Sequence, residues 1–159
     1  MKRRSCVMLA FAAVVVLAFG AVTIAADNNV GTWKLNLAKS KFSPGPAPKS
    51  QTLKIEAWGD DGVKYTADGM DPEGKPTHWE FQGKYDGKMN PFKGNPDADM
   101  IAYKRIDANT VEATTTLNGK PAQTTKVVVS KDGKTRTLTQ TGKNAKGQDV
   151  NNVVVYDKQ

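Results

Sequence analysis

From about residue 30 onward, apolar and polar residues alternate one by one along most of the chain. Trp33, Leu35 and Leu37 alternate with Thr32, Lys34 and Asn36, and Leu53, Ile55 and Ala57 alternate with Thr52, Lys54 and Glu56. Val63, Tyr65 and Ala67 alternate with Lys64, Thr66 and Asp68. Trp79, Phe81 and Tyr85 alternate with His78, Glu80, Gln82 and Lys84. A period of two places successive side chains on opposite faces of a strand, so each run predicts a strand with one buried and one wet face. No stretch of ten or more residues beyond the N-terminus shows a helical period.

Turn residues separate these runs at hairpin spacing: Gly59-Asp60-Asp61-Gly62, Pro72-Glu73-Gly74, Asp86-Gly87, Asn95-Pro96-Asp97, Asp107-Ala108-Asn109, Asn118-Gly119, Asp132-Gly133 and Asn144-Ala145-Lys146-Gly147. Asn-Gly and Asp-Gly supply the positive φ angles of tight hairpins. The count between turns predicts nine or ten strands joined in sequence order, an antiparallel meander. Closure removes the two exposed edges of such a sheet, so an all-β up-and-down barrel is expected over a sandwich, which would need long crossovers. A barrel spanning the outer membrane would turn an apolar face outward, whereas one face here reads Lys, Thr, Glu, Asp and Gln. The first strand, Val30 to Leu37, should close on the last, Val150 to Tyr156, antiparallel if the count is even. One connection differs. Between the first two strands, residues 38–49 carry Pro44, Pro46 and Pro48, which forbid a helix and favour an extended path pinned by Phe42.

The start of the chain sets the compartment. Lys2, Arg3 and Arg4 precede an apolar run from Val7 to about Ala26 that ends in small residues, the pattern of a cleavable signal peptide over residues 1–25. An uncleaved anchor is the alternative reading, and either one puts the domain at residues 26–159 outside the cytoplasm, periplasmic or secreted. Cys6 is the only cysteine and leaves with the leader. Disulfides, thiolate catalysis and cysteine metal sites are thereby excluded from the mature domain. The leader also removes three of the 23 basic residues, leaving 20 against 16 acidic ones, a balance of +4. The lysines are dispersed, without the basic stripe interleaved with aromatics that nucleic-acid binding needs. No Gly-x-Ser-x-Gly elbow, phosphate loop or second histidine supports catalysis. The acidic pairs lack calcium-loop spacing. The expectation is a monomer without enzymatic activity, cofactor, metal site or nucleic-acid partner.

Gly31-Thr32-Trp33-Lys34-Leu35 resembles the opening strand of the calycins, the lipocalins and fatty-acid-binding proteins. Val153-Val154-Val155-Tyr156-Asp157-Lys158 is similar to the closing strand of the latter. The resemblance implies a closed barrel that often holds a small apolar ligand. Two departures bear on function. The proline segment stands where fatty-acid-binding proteins carry a two-helix lid, and Val154 occupies the place of their carboxylate-binding arginine. Lipocalins add a helix after the barrel, for which no residues follow the last strand here.

Arg105 and Arg136 are the mature chain's two arginines. In the run around Arg136 one face is Arg136, Leu138 and Gln140 and the other is threonine. If Leu138 points inward, Arg136 and Gln140 do too, and a buried guanidinium must find a partner. An anionic ligand head group, an internal carboxylate and the face of Trp33 are the three partners open to it. Alternatively the threonines line the inside and Arg136 is at the surface. His78, with Glu80 and Gln82, reads as solvated. The candidate ligand-contacting residues are Trp33, Tyr65, Trp79, Phe81, Arg136, Gln140 and Tyr156. Two functions follow: an exported barrel binding a small hydrophobic or amphipathic ligand, or a filled barrel contacting an envelope component. An enclosed cavity of a few hundred Å³ would favour the first.

Overall fold

A computed structural model describes residues 27–159; the leader expected at residues 1–25 lies outside them. The described chain forms ten strands: β1 (Gly31–Leu35), β2 (Ser50–Ala57), β3 (Gly62–Met70), β4 (Pro76–Lys84), β5 (Asn90–Lys93), β6 (Met100–Arg105), β7 (Thr110–Leu117), β8 (Lys120–Val129), β9 (Thr135–Lys143) and β10 (Asp149–Lys158). Each pairs antiparallel with its sequence neighbours, and β1 pairs with β10, so the sheet closes into a barrel. Trp33 faces Leu53 of β2 on one side and Lys158 of β10 on the other. The all-β meander and the antiparallel closure of first strand on last are as expected.

The alternation sets the register. Leu53, Ile55, Val63, Tyr65, Ala67, Phe81 and Tyr85 are buried, while the lysines and acids between them are exposed. Asn118 and Gly119 join β7 to β8 with φ of 51° and 73°, the pair of positive angles a two-residue hairpin requires. β1 is shorter than the Val30–Leu37 expected. Leu37 leaves the strand for a 3-10 turn (Leu37–Lys39), in which the Asn36 side chain accepts from the Lys39 amide, and it is exposed rather than inward.

The segment after that turn is extended. Lys41 exchanges both backbone hydrogen bonds with Val153, and the Ser43 carbonyl accepts from Asn151. Phe42 is partly buried and packs against the core, as expected.

The lumen has two unlike walls. On β3 to β6 it is aromatic: Tyr65, Phe81, Phe92 and Tyr103 pack with ring centroids 4.9–6.3 Å apart. On β8 to β10 it carries carboxamides. Asn152 Nδ2 donates to Gln140 Oε1 at 2.9 Å, and Gln140 Nε2 donates to Gln123 Oε1 at 2.6 Å. The walls meet near Arg136.

Candidate functional site

Arg136 is 3 % exposed, so the surface reading of this residue is overturned: Leu138 turns inward with it, and the threonines of β9 are the outward set. Its Nε donates to Asn29 Oδ1 at 2.8 Å, while its Nη1 is buried without a partner. Among the described residues no carboxylate pairs with this guanidinium. Nor does it stack on Trp33. The cation over that indole is Lys158, with Nζ 5.0 Å from the ring, because β10 brings Lys158 directly opposite Trp33. The guanidinium instead lies 6.0 Å from the ring of Tyr156.

Beside Arg136 is a cavity of about 60 Å³ lined by Gln51, Leu53, Ile55, Tyr65, Trp79, Tyr103, Arg136, Leu138 and Tyr156. Trp79 Nε1 is also buried without a partner. Two buried donors, both on residues lining one cavity, therefore lack acceptors, a costly arrangement in an interior where nearly all polar atoms are paired. The remaining polar groups there are satisfied or neutral. The Tyr156 hydroxyl donates to Gln51, and burial pushes its pKa up to about 12. Burial, reinforced by Tyr103, raises Tyr65 well above the ordinary tyrosine value. The lumen thus holds one positive charge amid neutral phenols.

Residues 27–29 seal one end of the barrel beneath this site. Asn29 is buried; its carbonyl accepts from Trp33 Nε1 at 2.9 Å and its Nδ2 donates to Tyr85 Oη at 3.0 Å. Tyr85 in turn donates to Asp27 Oδ2 at 3.0 Å, where Arg105 Nη2 also donates at 3.0 Å. The Arg105 guanidinium lies 4.0 Å over the Tyr85 ring. Burial opposes ionisation of Asp27, but the Arg105 hydrogen bond and charge, with the Asn29 amide and Tyr85, outweigh it and hold the carboxyl below its ordinary 3.8. A depressed folded-state pKa means the ion pair stabilises the fold above the unfolded value and is lost as pH falls through the folded one. Asp27→Asn should therefore melt lower than the parent near pH 6, with the gap narrowing as the pH drops below about 3.8. Melting curves across pH 2.5–7 would check this; a gap independent of pH contradicts it.

Of the candidates named from sequence, Tyr65, Trp79, Arg136 and Tyr156 meet around the cavity. Trp33 lies apart from it, fully buried and tied to Asn29. Phe81 belongs to the aromatic cluster against Tyr65 and Tyr103, and Gln140 to the carboxamide ladder. Gln51, Tyr103 and Asn29 were missed. Gln51 shares the inward parity of Leu53 and Ile55, a signal that could have found it; Asn29 precedes the first strand and has no periodicity to place it. His78 is exposed as expected, and its ring lies 2.6 Å from Asp68 and 3.3 Å from Glu80. Among the described residues no group of three or more His, Cys, Asp or Glu side chains is placed to hold a metal ion.

No family model and no curated protein matches the chain. Solved structures do match. A fluorescent protein, UnaG, superposes with a TM-score of 0.55 at 16% identity, over 83% of this chain and 98% of its own. The zebrafish ileal bile acid-binding protein, solved with cholic acid, gives 0.50 at 14% identity, over 83% and 99%. At such identities the likeness is one of fold: a ten-stranded antiparallel meander closed into a barrel.

Proposed function

We propose that this protein is an exported, non-enzymatic barrel that takes a small amphipathic molecule into its lumen. The observation that carries this reading is the pair of buried, unpartnered donors, Arg136 Nη1 and Trp79 Nε1, on residues lining a cavity with apolar walls. Such donors leave the free barrel short of acceptors that a bound molecule would supply. The described bile acid binding of one structural neighbour supports the class of function.

The mature domain, purified under native conditions and extracted in denaturant, should release a small molecule identifiable by mass spectrometry. Amphipathic probes should quench its tryptophan emission saturably. Failure of both, with no extracted species and no probe shifting the emission, would remove the binding reading.

A filled barrel that contacts an envelope component is the second reading. The size of the cavity favours it, since about 60 Å³ is far below the roughly 300–1,000 Å³ of ordinary ligand pockets. A pull-down from envelope extract that returns a specific partner, together with a silent lumen, would select it.

A further inference from the structure

Resting on the binding reading, we infer that the lumen takes a compact monocarboxylate, the size of acetate to butyrate, and excludes longer alkyl chains. Three observations converge. The cavity of about 60 Å³ holds roughly four to six non-hydrogen atoms, at about 10–15 Å³ for each water-sized group. That is the size of acetate to butyrate and far short of a long-chain fatty acid or a sterol.

The charge and donors set the head group. Arg136 is 3 % exposed and has no carboxylate partner among the described residues. One uncompensated positive charge calls for a single negative one, because a dianion would leave a surplus charge buried. Arg136 Nη1, with two N–H groups, and Trp79 Nε1, with one, are buried without an acceptor, and a carboxylate can accept from donors of both kinds. The Tyr156 hydroxyl already donates to Gln51 Oε1. Leu53, Ile55 and Leu138 supply apolar wall for a few carbons.

The wall beyond Arg136 opposes a longer tail. Further along the inward face of β9 and β10 from Arg136 and Tyr156 stand Gln140 and Asn152, linked to each other and to Gln123 by side-chain hydrogen bonds. An alkyl chain running along that wall would bury three carboxamides against methylenes and add no hydrogen bond.

The test is titration of the mature domain at neutral pH, followed by calorimetry and tryptophan emission, with acetate, butyrate, octanoate, palmitate, butyramide, phosphate and sulfate. Butyrate should bind saturably and raise the melting temperature with concentration. Butyramide, the same shape without the charge, should bind at least about 10-fold more weakly. Octanoate, palmitate, phosphate and sulfate should not compete. Arg136→Met should lower butyrate affinity by roughly 30-fold or more, and Trp79→Phe by about 3- to 10-fold, the worth of one hydrogen bond. If Arg136→Met fails to fold, the comparison of butyrate with butyramide on the parent protein decides. Tighter binding of palmitate than butyrate overturns the size limit, and displacement by phosphate or sulfate overturns the carboxylate assignment; the binding reading survives both. Silence towards every carboxylate and every amphipathic probe overturns both readings.

Discussion

Deleting residues 150–159 should leave a chain without a cooperative thermal transition and with exposed apolar surface that binds a fluorescent dye. The deletion takes nearly all of β10, which pairs with β9 over nine residues and with β1 over three. Val154 and Tyr156 leave the core with it, and the Lys41 segment loses its partner strand. Both β1 and β9 become bare edges rich in apolar residues, a state prone to pairing with other chains. A truncated chain that melts cooperatively at the parent's temperature would mean the closing strand contributes nothing, and the closed barrel would have to be abandoned.

Replacing Trp33 by Ala should cost about 3–5 kcal/mol, the usual loss for truncating a buried aromatic. For a domain of this size that corresponds to a fall in melting temperature of roughly 10–20 °C. Trp33 is fully buried, and its indole N–H donates to the Asn29 carbonyl. Asn29 in turn orients Arg136 and Tyr85, so the loss spreads from packing into the polar seal. Trp33→Phe, which keeps most of the ring but not the donor, should lie between the two. A loss under about 1 kcal/mol for the alanine variant, within reach of an ordinary surface change, would show that the seal does not depend on this side chain.

Much of the fold was legible because the chain obeys one rule almost throughout. Period-two alternation identified Leu53, Ile55, Val63, Tyr65, Ala67 and Phe81 as buried, though Ala57, at the end of β2, is exposed, and turn pairs such as Asn118-Gly119 marked where the chain reverses. Alternation tied Arg136 to the face of Leu138 but left open which face of that strand points inward, because threonines fill the other; only the structure turns Arg136 inward. What escaped depends on contacts between distant segments. The stacking of Lys158 on Trp33 is set by the register of β10 against β1, which alternation cannot fix to the residue. Asn29 fell outside any periodic run, yet it links Trp33, Tyr85 and Arg136. Leu37 kept the alternation but lost its place to the local hydrogen bond between Asn36 and Lys39. Four of the seven candidate residues meet at the cavity because parity chose their face, whereas their depth along the barrel axis was not encoded in any pattern.

The order of pairing also bears on how the chain finds this structure. Nine of its ten ladders join strands that follow one another in sequence, eight across short turns and β1 to β2 across residues 36–49, so each closes a loop far shorter than the barrel's full chain. The tenth, Trp33 against Lys158 and Leu35 against Tyr156, joins the two ends. It bears the largest loop-closure entropy, and non-local pairings of this kind slow folding. The residues that reward that step are among the most buried in the protein, Trp33 and Tyr156, so the slow contact is also a strongly stabilising one. The barrel exists as such only after the chain's ends have met.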